Sequence, residues 1–486
     1  MVNEFKTPPG TPPQSLKSTD RDMQHSPRRP TLSRRLRLIG VFCAVGGLMA
    51  GCMAPPQQTA SSARAAPVTL DLPPMKLFDD RPAQPSRRSN ASIARDFLDL
   101  SFALETGAQL DRFTRFEGPI TLRVTGERIP ASLNHDLGRL LARFETEAGI
   151  DITRVSPSEQ ASITIETVTH QELARRAPNT ACIVVPNISG WEEFKRARRA
   201  ELSWTQVETR EKLSIFIPEN VAPQEIRDCL HEELAQALGP LNDLYRLADT
   251  VFNDDNIHSV LTPFDMLVLR ATYDPALRSG MRRADVAAAL PGILDRIHPA
   301  GRGGASESVR PTPRLWGDAV LTAMDEGNLA LRHRAAATAV AIAQDQGWTD
   351  ARAGFSWFLL GRLAVASDRA EAHFALNEAY RLYSASPETR FHAAHVAMQL
   401  AALALSEGQN EEAYRFSSGA IDAARDAENA ALLASLMLTE AEALSKLGRV
   451  SEAQSLRLDS LGWARYGFGS DEEVRARAAE ITALAR

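Results

Sequence analysis

The stretch DCLHEELAQALGPLND (Asp228–Asp243) concentrates the groups in this chain that could do chemistry. His231 and Glu232 open as the H-E-x-x-H spacing does, where two imidazoles one helical turn apart hold zinc and the glutamate serves as base. The residue one turn after His231 is Ala235, which offers no donor. Shifted by one, the longer H-E-x-x-H-x-x-G-x-x-H spacing is followed by Glu232, Glu233, Gln236, Gly239 and Asn242. Its three ligand positions then carry one carboxylate and two amides, with Glu233 where the base would stand. Zinc favours imidazole and thiolate and rarely takes an amide oxygen. Calcium needs about six to eight oxygens, more than these positions supply. Asp254 and Asp255 add charge only if their loop folds back. The expectation is therefore no metal and no cofactor. Without metal-activated water Glu233 has little to deprotonate, so it is read as hydrogen-bonding backbone or buried polar groups beside the sheet, with Glu232 and Gln236 capping Asn242-Asp243 in the following loop. His231 is expected at the surface or in a hydrogen bond, because a lone pairing with His258 is too little for a metal site.

The elements that must position these residues alternate between helix and strand. Pro223 suits the first turn of a helix and Gly239-Pro240 ends it. Ahead of it come an amphipathic helix over 93–104, a strand at ITLRV (120–124) and a helix over 136–149. In the last of these Leu137, Leu140, Leu141 and Phe144 recur at helical spacing. Strands follow at ASITIETV (161–168), CIVVP (182–186) and LSIFIP (213–218). After the helix, Thr262 and Asp265 form a capping-box start for LTPFDMLVLRATYDP (261–275).

Together CLHEELAQALGPLND, FNDDN and LTPFDMLVLRATYDP resemble an uncharacterised bacterial envelope family related to the metzincin peptidases. The resemblance spans roughly residues 90–285. It implies an α+β zincin/metzincin-like domain in which Glu232, Gln236 and Asn242 stand at the ligand positions and Glu233 at the catalytic one. The scaffold is kept and the ligand chemistry is changed.

The N-terminus carries an address. Arg28, Arg29, Arg34, Arg35 and Arg37 precede an apolar run from Leu38 to Gly51, which ends in LMAGC at Cys52. The run is shorter than the ~20 residues that span a bilayer and suits a signal peptide. The ending resembles a bacterial lipobox, which implies diacylation of Cys52 and places the protein on the envelope, facing the periplasm. Met23 is an alternative start to Met1. In that oxidising compartment Cys182, on a predicted strand, and Cys229, on the helix, are expected to bridge; two buried free thiols are the alternative.

The C-terminal third is Ala-rich and repeats. Gly327, Ser367, Gly408 and Gly448 recur every 40 or 41 residues, each followed twelve positions later by Ala339, Ala379, Ala420 and Ser460. Small residues at a turn and inside the next helix suit close helix pairs, and the phrases resemble tetratricopeptide repeats. The organisation expected is a signal segment (1–51), a lipidated cysteine and flexible tether (52–89), the α+β domain (90–299), a linker (300–313) and an all-α tetratricopeptide-like solenoid (314–486). The net charge of −6, without a concentrated basic face, speaks against nucleic acid. The function expected is protein binding or scaffolding at the membrane, with a protein or extended polypeptide as partner. The alternative is an active metal-dependent peptidase with unusual ligands.

Overall fold

The computed structural model describes residues 72–79, 85–178, 180–305, 309–325 and 327–485, which form one compact unit. The signal segment and Cys52 lie outside the described residues. Among those described, no helix is long and apolar enough to cross a membrane.

The first region is a small mixed α/β domain. Its five strands are β1 (Ile120–Gly126), β2 (Ile152–Arg154), β3 (Ile163–Val168), β4 (Ile183–Pro186) and β5 (Leu213–Pro218). They lie in the order β2-β1-β3-β5-β4, parallel except for β4, which runs antiparallel to β5 at one edge. β1 alternates buried and half-buried residues, whereas every residue of β4 and β5 is buried. A strand covered on both faces reads as a continuous apolar run, which is why CIVVP and LSIFIP lack alternation.

Seven helices surround the sheet: α1 (Asn90–Ser101), α2 (Ala131–Arg143), α3 (His170–Arg176), α4 (Trp191–Arg196), α5 (Pro223–Leu238), α6 (Pro263–Thr272) and α7 (Arg283–Ile297). Leu137, Leu140 and Phe144 of the predicted helical stripe are buried with Ile226, Leu230 and Leu234 of α5 against Ile165, Ile215 and Ile217. α2 starts at Ala131, five residues before the expected start, because Leu133 adds another buried turn. On the opposite face Trp191 and Phe194 of α4 pack on Phe216.

The second region is all-helical: α8 (Arg314–Met324), α9 (Leu329–Asp345), α10 (Ala351–Ala364), α11 (Arg369–Tyr383), α12 (Arg390–Ser406), α13 (Asn410–Asp426), α14 (Ala430–Lys446), α15 (Val450–Phe468) and α16 (Asp471–Leu484). Gly327, Ser367, Gly408 and Gly448 sit in the turns of the hairpins α8/α9, α10/α11, α12/α13 and α14/α15. Ala339, Ala379, Ala420 and Ser460 are buried inside the second helix of each. The repeat in the sequence is thus four helix pairs.

The described residues of the expected tether, 72–79 and 85–89, are packed on the fold. Phe78 is buried against Trp463 and Tyr466, Lys76 donates its backbone N–H to the Gly462 carbonyl, and Arg88 pairs with Asp96 and Asp249. Leu72 and Phe78 give this segment apolar area to bury, which a composition rich in Pro and Ser concealed. The expected linker also folds back in part, with Ser89 Oγ donating to the Ala305 carbonyl. The two regions meet directly: Arg227 donates to the Glu428 carbonyl, Tyr466 OH to Asp136, and the Ala431 N–H to Gln224 Oε1.

Candidate functional site: an acidic group at the end of helix α5

Helix α5 is fixed at both ends. Pro223 opens it, and Cys229 on its first half is bonded to Cys182 at the start of β4, with the Cα atoms 5.9 Å apart. The expected strand-to-helix bridge is present. The C-terminal carbonyls, which no helical N–H can reach, are taken up by Arg210. Its guanidinium is fully enclosed and donates to Gln236 O (2.6 Å), Ala237 O (2.8 Å) and Gly239 O. A cation there complements the negative end of the helix dipole, although burial lowers the Arg210 pKa to about 10. Gly239 sits in a crowded place: a Cβ there would meet Leu269 at 3.2 Å and Thr272 at 3.3 Å on α6, so any side chain needs those neighbours to give way slightly. α6 starts from the expected capping box, with Asp265 N donating to Thr262 Oγ1. Its following residue, Tyr273, donates to the Leu238 carbonyl.

Beyond this anchored end, Glu105, Asp243 and Asp254 each bring a carboxylate oxygen within 4.8 Å of the others. They come from three places: the turn after α1, the exit of α5, and the loop leading to α6. All three are half-buried. Glu232 and Glu233 join them electrostatically from α5. Burial, with Glu232 and Glu105 nearby, pushes the Glu233 carboxyl up to about 8. Burial together with Glu105, Glu232 and Asp255 pushes Asp254 up to about 7, and Asp243 is raised well above the carboxylate range by burial, Glu105, Asp254 and Glu232. Tyr245 is raised in turn by burial and by Asp254, Asp255, Asp243 and Glu105. This is an accumulation of negative charge in a restricted space.

The positions singled out by spacing have different fates. Glu232 and Glu233 face the acidic group. Gln236 is fully buried and neither its Oε1 nor its Nε2 has a partner. Asn242 is withdrawn: its Nδ2 donates to the Asp99 carbonyl (2.9 Å), so it ties the α5 exit to α1 and does not complete a turn network with Glu232 and Gln236. His231 is buried, not on the surface, and its Nδ1 accepts from the Leu261 N–H at 3.1 Å. Burial, then Arg143 and Arg227, hold its pKa well below 6.5. The loop with Asp254 and Asp255 does fold back. Asp254 joins the acids, while Asp255 turns the other way and meets His392 Nε2 at 3.0 Å. His258 packs on the Phe391 ring at 5.0 Å.

Glu105 and Tyr245 were not foreseen, and Asp243 was expected only as a capped loop residue. Asp243 stood next to a marked residue, but Glu105 lies in a plain turn and carries no local signal. Only the fold brings it in.

Residues 90–292, most of the α/β domain, match the domain family described as "Protein of unknown function (DUF2927)". No curated protein and no solved structure matches the chain.

Proposed function

We propose that this chain is a lipid-anchored bacterial envelope protein that holds a polypeptide partner and does not cut it. In this reading the α/β domain is a metzincin-like scaffold, by its order of strand, helix, strands, α5 and α6, and the helix pairs are a tetratricopeptide-like binding array. The loss of peptidase chemistry is supported by the side chains themselves. No imidazole stands at the three ligand positions, Asn242 is committed to Asp99, and His231 is committed to Leu261.

The surface of the helical array carries the binding reading. Of the ten large apolar side chains most exposed among the described residues, five lie on α8, α9 and α11: Leu315, Leu321, Leu329, Leu331 and Phe374. Phe374 is 60% exposed and Leu315 73%. Beside them a cavity of about 510 Å³ opens between the start of α9 and the end of α10, lined in part by Leu329, His333, Arg334 and Leu363. Exposed apolar side chains gathered on neighbouring helices beside a cavity support an interaction site there. The sheet edge is a poorer candidate for strand addition, because β4 is only four residues long and every one of them is buried.

The test is capture of envelope polypeptides by the full-length protein against Leu329→Glu/Phe374→Glu. A partner retained by the first and released by the second is expected; identical capture argues against the surface. Hydrolysis of denatured casein that disappears in Glu233→Ala would favour the active peptidase. Cys52→Ser is expected to free the protein from membranes.

A further inference from the structure

We infer that Glu105, Asp243 and Asp254 are ligands of a hard divalent cation, calcium, with Glu232 and the Gln236 amide oxygen as the next donors. The inference goes beyond the binding function and does not depend on it.

The first observation is metric. Ligand oxygens held by an ion at about 2.3–2.6 Å cannot lie more than roughly 5 Å apart across it. The oxygens of the three carboxylates already satisfy this, all within 4.8 Å of one another. Nothing in the local sequence requires it, since Glu105 comes from a turn far from the other two.

The second observation is Gln236. Its side chain is fully buried with both amide atoms unpartnered, which leaves the desolvation of both groups uncompensated. Helical side chains lean toward the N-terminus over the residues three and four earlier. For Gln236 those residues are Glu233 and Glu232, both of which belong to the acidic group. The amide therefore lies over the turn that carries Glu232 and Glu233, where its oxygen can serve a cation. Asp243 repeats the pattern, for its Oδ1 is buried and also lacks a partner.

The donor set selects the ion. Carboxylate and amide oxygens are hard ligands, and the group contains no imidazole or thiolate, which disfavours zinc. Magnesium demands a near-ideal octahedron and keeps its waters, while calcium accepts an irregular shell of mixed oxygens. A bound ion would cross-link the turn after α1, the exit of α5 and the loop before α6. That loop also carries Asp255, which reaches His392 in the helical array. The cation would thereby firm the junction of the two regions.

The experiment uses the full-length protein in detergent, freed of divalent ions by chelation, with Ca²⁺ alone as the probe. Calorimetric titration is expected to show one Ca²⁺ per chain, and the melting temperature is expected to rise with saturation. Asp254→Asn and Glu105→Gln are each expected to weaken binding at least about tenfold by removing a charged ligand. Without calcium at pH 8, Asp254→Asn should melt no lower than wild type, because it relieves repulsion; an acid with only a structural role would give a lower melting point. No Ca²⁺ binding by wild type up to about 5 mM, above the range of extracellular calcium modules, overturns the inference. So does undiminished binding by the Asp243→Asn/Asp254→Asn variant, or one equivalent of Zn²⁺ that Ca²⁺ does not displace.

Discussion

Replacing Glu233 by Gln isolates the electrostatic cost of the acidic group. The folded carboxyl titrates near about 8 against an ordinary 4.5, driven up first by burial and then by Glu232 and Glu105. Below pH 4.5 it is protonated in both the folded and unfolded chain and contributes no pH dependence. Between 4.5 and 8 the folded chain binds the extra proton, so stability falls as pH rises through that window. Above pH 8 the full penalty is present, with a ceiling of about 5 kcal/mol at 1.36 kcal/mol per pKa unit. Glutamine imitates the protonated acid in shape and carries no charge. Glu233→Gln should therefore match wild type near pH 4.5 and exceed it in stability by a few kcal/mol at pH 8.5, roughly half the ceiling or more. The assay is urea unfolding with a chelator present, followed by the fluorescence of Trp191 and Trp204, both buried in the α/β domain. A stability gap that does not change with pH, or a variant weaker than wild type at pH 8.5, refutes the reasoning.

Further outcomes follow from the anchoring of α5 and from the junction. The Cys182–Cys229 bond closes a separation of 47 residues, so Cys182→Ser/Cys229→Ser should lose about 4 kcal/mol in the chain-entropy picture, and unfolding midpoints with and without reductant should show it. Arg210→Met leaves the carbonyls of Gln236, Ala237 and Gly239 unsatisfied and should destabilise by about 3 kcal/mol or more, with amide exchange accelerating at the end of α5. His258 and His395, lowered to about 4 and about 3 by burial and then by His392, stay neutral in the folded junction. The unfolded chain takes up their protons from pH 6.5 downward, so stability present at neutral pH is lost as pH falls toward 3. Asp255 opposes the shift at His258, whereas His258 and Arg362 add to it at His395. His395→Leu should move the acid unfolding midpoint to lower pH, and an unchanged midpoint speaks against it.

What could be read from the chain is what depends on neighbours in sequence. The Leu137–Phe144 stripe, the Pro223 start and Gly239 end of α5, and the Thr262–Asp265 box each act within a few residues, and each is found in place. The 40-residue recurrence of small residues needed only its own period to place four hairpin turns. The disulfide followed from compartment and the scarcity of other cysteines. The acidic group did not follow, because it joins Glu105 to Asp243 and Asp254 across the whole α/β domain. Spacing put Asn242 at a ligand position and left Asp243 a loop residue, since a motif marks positions along a helix and not the direction taken by the chain after it. Residues 72–79 were misjudged from composition: Pro, Ala and Ser dominate their surroundings, but the buried aromatic Phe78 helps to seat them on α15.

Metal content of the full-length protein, purified without chelator and measured for zinc and calcium together, tests most directly the claim that α5 keeps a peptidase scaffold without its zinc chemistry. The expected result is no stoichiometric zinc, with any bound divalent ion being calcium and leaving in Asp243→Asn/Asp254→Asn. One equivalent of zinc, lost on replacing Glu232 or Gln236, would contradict the account.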